Sequence, residues 1–286
     1  MGIQIALQGA ASGFDVKIYD PAETALDSAK KRLVKLGSLM VRNQRFPREK
    51  ITRGLERITL TNDADTAGWD ADLVSESVPE DPALKQKVLG LFNNICPAHT
   101  LFTTNSSTLI PSQLAAGTGR ADRFMALHFH DCTTTNVVDL MPHSGTAKDT
   151  LTKVTAFARA MGQYPIVLKK EQHGYVFNTM LSELLGAALT LASGEVAAVA
   201  DIDRAWMGIM GTRVGPFGIM DAVGLDTVHG ITAHWAQKSG HPGKLANAAF
   251  LKSLVDQGKL GIKTKEGFYT YPNPEFLSPK FMAGIH

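Results

Sequence analysis

Cysteine is scarce: the 286-residue chain has two. Cys96 and Cys132 lie far apart and neither belongs to a Cys-x-x-Cys pair. That argues against a disulfide framework and against a zinc site, and no metal is expected. A reducing, cytoplasmic compartment fits this usage. Charge of one sign is also scarce. The 29 Lys and Arg residues against 27 Asp and Glu leave a net charge of +2. No block of like charge occurs, so nothing points to nucleic acid or to an acidic membrane surface. No apolar run approaches the roughly 20 residues of a membrane span. The first residues lack the basic and apolar regions of a secretory signal. Met1-Gly2 invites a myristoylation reading, but Ala6 stands where that motif has Ser or Thr. Repeats and low-complexity segments are missing too.

What remains is an ordinary globular composition, 44% hydrophobic and 20% charged, long enough for two domains. In the first half, helical patterns alternate with short apolar runs. Strands are expected at Val16–Tyr19, Ile58–Leu60, Asp72–Val74, Leu101–Thr104, Phe124–His128, Val137–Met141 and Pro165–Leu168. Helices are expected at Ile3–Ala11, Ala25–Leu36, Pro82–Ile95, Pro111–Ala116 and Asp149–Met161. This alternation predicts an α/β unit, a mostly parallel sheet covered by helices. After Lys170 the pattern turns all-α, with helices at Tyr175–Ser193, Val199–Met207 and Asp226–Trp235. A boundary near Lys170–Gly174 separates residues 1–172 from 173–286. The helix Tyr175–Ser193 is apolar around most of its circumference, which predicts burial in a domain core or at a subunit interface. Tyr269–Pro272 is expected to be extended and docked.

Five stretches can carry chemistry, each beside a plainer reading. Asp20 ends the Val16–Tyr19 strand, where a carboxylate can bind ribose hydroxyls; it can equally start the next helix. Thr103-Thr104-Asn105-Ser106-Ser107-Thr108 follows a strand, so its hydroxyls and amide can line a ligand crevice, although one of them would suffice to cap a helix. His128, in Leu127-His128-Phe129-His130-Asp131-Cys132, can shuttle a proton, with Asp139 on the next strand to orient it; a loop histidine is more often structural. Asn178, in Gly174-Tyr175-Val176-Phe177-Asn178, is an amide on an apolar helix that needs partners, and backbone at the junction can supply them. The glycine-rich run Gly211–Leu225 reads mainly as architecture. The basic segment Arg45–Arg57 suits a CoA phosphate or a solvated helix face alike.

In this order, Asn-Ser-Ser-Thr-Leu, Leu-His-Phe, Gly-Tyr-Val-x-Asn and Gly-Pro-Phe-x-x-x-Asp-x-Val-Gly-Leu resemble the L-3-hydroxyacyl-CoA dehydrogenase family, most of all its short bacterial members, which include the diketoreductase. The resemblance spans essentially the whole chain. It implies a Rossmann-type NAD domain, a helical domain that makes a homodimer, and exchange of hydride between nicotinamide and a secondary alcohol or ketone. The substrate class it implies is a 3-hydroxyacyl-CoA or a related small hydroxy or keto acid. Carried over by position, His128 is the general acid/base and Asp139 stands where the family has a Glu that holds it. Ser107 and Asn178 hold the substrate oxygen, while Asp20, Glu80, Lys85 and Asn105 fall at cofactor-contact positions.

Three departures qualify the resemblance. Met1–Ala6 matches the end of the family's Gly-x-Gly-x-x-Gly stretch, with Gly2 as the last glycine. The strand and two glycines that precede it in the family have no counterpart, roughly a dozen residues for a strand of about 5–6. This reads as an N-terminally shortened member with a gap at the sheet centre, from a start assigned to an internal Met or as a shortened, inactive protein. Asp131 and Cys132 replace the family's Asn-Pro, bringing negative charge toward the nicotinamide. Asp139 is one methylene shorter than Glu and one residue nearer to His128. The competing expectation is a non-catalytic member that binds or builds without turnover.

Overall fold

The computed structural model describes residues 1–284 and divides into two compact units, Met1–Val176 and Phe177–His286. The first begins with α1 (Gly2–Ala11), β1 (Val16–Tyr19), α2 (Glu23–Arg42), α3 (Arg48–Glu56), β2 (Ile58–Thr61) and α4 (Ala64–Gly68). It continues with β3 (Leu73–Glu76), α5 (Pro82–Ile95), β4 (Leu101–Thr104), α6 (Ser112–Ala115), β5 (Phe124–Phe129), β6 (Val137–Met141), α7 (Lys148–Ala160) and β7 (Tyr164–Val167). The strands form two sheets: β1 pairs with β2, and the other five run in the order β3-β4-β5-β6-β7. No ladder joins β1 to β3 among the described residues.

The sheets are parallel except at β5–β6, which is antiparallel. That pairing places His128 directly opposite Asp139. The site depends on this reversal, because cross-strand partners lie within side-chain reach. Ile5, Leu7, Met125, Leu127, Val138, Leu140 and Val154 form one apolar core of this unit, and Leu89, Phe92, Phe102, Leu114 and Phe124 another. Helix α3, which periodicity does not reveal, reaches α1 through Gly54. A Cβ there would meet the Ala11 nitrogen at 2.7 Å, so any side chain would push the helices apart. On the basic segment, Arg53 pairs with Glu49 and Arg57 with Asp15, the solvated face that the sequence allows.

The second unit is helical: α8 (Phe177–Ser193), α9 (Val199–Met210), α10 (Pro216–Val223), α11 (Leu225–Ser239) and α12 (Pro242–Val255). Two of these, α10 and α12, go beyond the helices that the sequence pattern predicts. Helix α8 is less buried in this chain than its composition predicts: Leu185, Ala188 and Leu189 are inside, whereas Phe177, Met180 and Leu191 are exposed.

The glycine-rich run serves as architecture. The buried Asp203 carboxylate accepts from the Phe217 and Gly218 amides at the N-terminus of α10 and from the Tyr269 hydroxyl. Asp221 accepts from the Phe268 and Tyr269 amides and the Tyr271 hydroxyl. The tail segment 268–271 is thereby docked. Gly215 is required where Asp203 approaches, since a Cβ would lie 2.4 Å from its Cγ.

Candidate active site

A cleft of about 270 Å³ opens in the first unit, lined by Met1, Ser77, Val78, Glu80, Lys85, Asn105, Ser107, His128 and Phe129. It lies beyond the carboxyl ends of the parallel strands β3 and β4, where α/β sheets place ligands. His128 comes from β5. Its Nδ1 lies 3.4 Å from Asp139 Oδ2, so the shorter acid one residue nearer still makes the contact. The same oxygen receives His130 Nε2 at 3.0 Å. Burial works to raise the Asp139 carboxyl, but hydrogen bonds from both histidines outweigh it and hold the group below its ordinary value. A carboxylate at Nδ1 favours the tautomer with its proton there and leaves Nε2 for chemistry.

Tyr175 completes the histidine's setting, although only its place in the Gly-Tyr-Val-x-Asn motif marks it in the sequence. Its ring stacks on the His128 imidazole at 4.4 Å and 8°, and its hydroxyl donates to the Ser106 carbonyl at 2.6 Å. His130 is a further member of the cluster that the motifs do not single out. The signal for it is the alternation of a strand, which puts residues two apart on one face.

The hydroxyl-rich loop divides into scaffold and site. Thr103 donates to the Val74 carbonyl and Thr104 to Glu76 Oε2. Glu80 Oε1 gathers the Ser106 and Thr108 hydroxyls together with the Ser107 and Thr108 amides. Asn105 Oδ1 accepts from the Phe129 amide at 2.7 Å, tying the loop to the end of β5. Ser107 lines the cleft. Burial would raise Glu80, but these donors and the Lys85 ammonium bring it down to about 2.

Lys85 is almost fully buried in α5, which Asp81 caps and Pro82 begins. Its ammonium spans Glu76 (2.9 Å), the Val78 carbonyl (3.0 Å) and Glu80 (3.2 Å). Lys85 and Glu80 thus brace the β3–α5 turn against the loop after β4. Between them stands Glu76, which no sequence motif marks.

The remaining expected residues are placed as follows. Gly2 opens α1, and a Cβ there would meet Ser77 Cβ at 3.2 Å, so the helix N-terminus approaches the wall of the cleft closely. Asp20 follows β1 and its Oδ1 accepts from the Ala22 amide at 2.9 Å, which supports the start of α2; it does not line the cleft. Asn178 lies in the first turn of α8, in the second unit. Asp131 is exposed and spends its Oδ1 on the Thr133 amide and hydroxyl, away from the cleft lining.

Both cysteines are free and buried. Burial, reinforced by the Asp131 charge, pushes the Cys132 thiol up to about 12. Burial also raises Cys96, against the pull of Arg120. Thiolate is the reactive form, so neither cysteine is expected to take up iodoacetamide in the native protein at neutral pH. Peptide mass spectrometry after a timed exposure checks this, and alkylation of Cys132 at the rate of an open thiol would contradict its placement.

Comparison with known proteins gives matches across both units. Residues 1–172 match the family model described as 3-hydroxyacyl-CoA dehydrogenase, NAD binding domain, and residues 174–271 match its C-terminal domain. A probable 3-hydroxyacyl-CoA dehydrogenase of Caenorhabditis elegans is 30% identical over 276 residues, 95% of this chain and 92% of that protein. A solved diketoreductase superposes with a TM-score of 0.87 at 40% identity, over 94% of this chain and 95% of that one. The (S)-3-hydroxybutyryl-CoA dehydrogenase of Ralstonia eutropha superposes with a TM-score of 0.84 at 26% identity, over 96% of each.

Proposed function

This chain belongs to the 3-hydroxyacyl-CoA dehydrogenase family of NAD-dependent oxidoreductases, and we propose that it interconverts the secondary alcohol and ketone of a 3-hydroxyacyl-CoA or a related hydroxy or keto acid, with His128 as general acid/base. The observation that carries this reading is a histidine held by an ionised Asp139 on the wall of a cleft at the strand ends.

The cleft suits one end of a dinucleotide rather than the whole. Its wall includes Ser77, whose buried Oγ has no hydrogen-bond partner among the described residues, and the N-terminus of α1, where helix amides favour anions. Gly2 lets that terminus approach. Glu80, Lys85 and Asn105 act by shaping the loops around the cofactor, and Asp20 keeps a second carboxylate oxygen for a ribose hydroxyl. When bound, NAD supplies the hydride acceptor or donor.

The chain's own part is the proton and the charge. In the direction of reduction, negative charge grows on the carbonyl oxygen. Protonated His128 neutralises it through Nε2, while the Ser107 hydroxyl donates a second hydrogen bond. In the reverse direction neutral Nε2 takes the hydroxyl proton, and Asp139 stabilises the imidazolium that forms. The stack on Tyr175 keeps the ring from turning away.

The exposed apolar residues of α8, with Ile209 and Met210 of α9, support a homodimer formed through the helical unit. The two buried free thiols suit a reducing, cytoplasmic setting.

A second reading, a member that binds or builds without turnover, draws on the arrangement of β1–β2 and β3–β7 as two separate sheets among the described residues. Titration of the 286-residue chain with NADH, followed by cofactor fluorescence, separates the two. Saturable binding, with NADH consumed on adding acetoacetyl-CoA or a small diketo acid, is the expected result. Absence of any saturable signal would overturn the catalytic reading.

A further inference from the structure

We propose that His128, His130 and Asp139 form a site for a borderline divalent metal ion such as Zn²⁺, and that filling it withdraws His128 from proton transfer. Each residue offers one ligand atom, and the three atoms all lie within 4.8 Å of one another. Two edges of this triangle are already short: His128 Nδ1 to Asp139 Oδ2 at 3.4 Å and His130 Nε2 to the same oxygen at 3.0 Å. Ligands about 2.0–2.1 Å from a tetrahedral zinc stand about 3.3 Å apart, so these two edges match a coordination sphere, and the third, between the ring nitrogens, lies within 4.8 Å.

The donor set also fits. Two imidazoles and one carboxylate leave a coordination position for water, which suits zinc and its neighbours in the first transition row. A thiol is not needed, and the Cys132 sulfur is turned to the His130 carbonyl instead.

The scaffold is rigid. His128 and His130 are two apart, so both project from one face of β5 and its extension, and Asp139 is the paired residue on β6. The rings meet edge to face at 4.8 Å, and Tyr175 fixes the outer face of His128. All three side chains are largely buried, at 6%, 17% and 2% exposure. The ligands are thus preorganised and partly desolvated before metal arrives. Binding replaces the two N–H···O contacts with two N–metal bonds and one O–metal bond; the single proton of each neutral ring moves to its other nitrogen, and a doubly protonated ring releases one proton. With Nδ1 coordinated, His128 can no longer become an imidazolium.

The binding claim stands by itself, whereas the loss of activity rests on the proposed role of His128. The experiment keeps them apart. The chelator-stripped 286-residue chain is dialysed against graded Zn²⁺, the bound metal is counted, and histidine ring NMR signals are followed in the same samples. One equivalent per chain is expected, with two imidazoles shifted together. His130→Phe and His130→Gln are each expected to weaken binding about 100-fold or more. No stoichiometric uptake by the wild-type chain, or uptake that shifts fewer than two imidazoles, overturns the site; so does undiminished binding in either folded variant. Zinc is then added to the activity assay. Inhibition of the wild type, relieved by a chelator and lost in His130→Phe, supports the withdrawal of His128. Stoichiometric binding without inhibition overturns that second half alone.

Discussion

The His128→Ala chain is expected to turn over a 3-ketoacyl substrate with NADH about 10²–10⁴-fold more slowly than the wild type, with most of the loss in kcat. His128 is the cleft-wall side chain proposed to carry the proton; Glu80 is held low, at about 2, and Lys85 is spent on carboxylates and a carbonyl. Neither Glu80 nor Lys85 is therefore placed to replace it. NADH affinity should change little, because the proposed binding groups lie on other elements. Circular dichroism guards against a trivial cause: His128 sits in a well-packed strand, and its loss leaves a gap beside Tyr175. Asp139→Asn should retain the fold and lose less, since the amide oxygen can still accept from Nδ1 but no longer stabilises an imidazolium. Activity of His128→Ala within tenfold of the wild type would remove the assigned base.

The second large effect concerns stability. Asp221→Ala is expected to destabilise the helical unit by on the order of 3–5 kcal/mol, because it strands the Phe268 and Tyr269 amides and the Tyr271 hydroxyl inside the protein. For a unit of this size that lowers the midpoint by about 15 °C or more. Trp206 and Trp235 report on the second unit and Trp69 on the first, so fluorescence of single-tryptophan variants assigns the loss. A shift of less than a few degrees would mean that the tail does not depend on this carboxylate.

The pH dependence follows from the same residues. Burial is the main cause that raises Asp203 and Asp221 above 3.8, against their hydrogen bonds. A raised acid holds its proton in the folded state at a pH where the unfolded chain has lost it. The penalty is therefore present above the folded value and relieved as the pH falls toward 3.8. Mild acidification from neutral pH should stabilise the second unit in the wild type, and less so in Asp221→Asn.

Local chemistry by itself determines a good deal of this protein. Val16–Tyr19, Leu101–Thr104 and Val137–Met141 are strands as the apolar runs predict, because short runs of four or five residues that include β-branched or aromatic ones, set between turn signals, have few other uses. Pro82 after Asp81 marks the start of α5 to the residue, since capping is a matter of adjacent groups. The family is legible because its motifs are short and keep their order. Helices α3, α10 and α12 are not, because charge, glycine and a weak apolar stripe blur the period that burial normally imposes.

What only the tertiary structure decided is how the side chains are divided between support and site. Read without the family resemblance, the run from Thr103 to Thr108 is six candidates; folded, Glu80 reaches back from another loop and claims the Ser106 and Thr108 hydroxyls. Lys85 is a lysine on a helix until Glu76 and Glu80 close over it. His130 is a second histidine of no particular account until an antiparallel strand brings Asp139 between it and His128. Spacing along the chain cannot state a cross-strand register, and that register is what makes one acid serve two imidazoles.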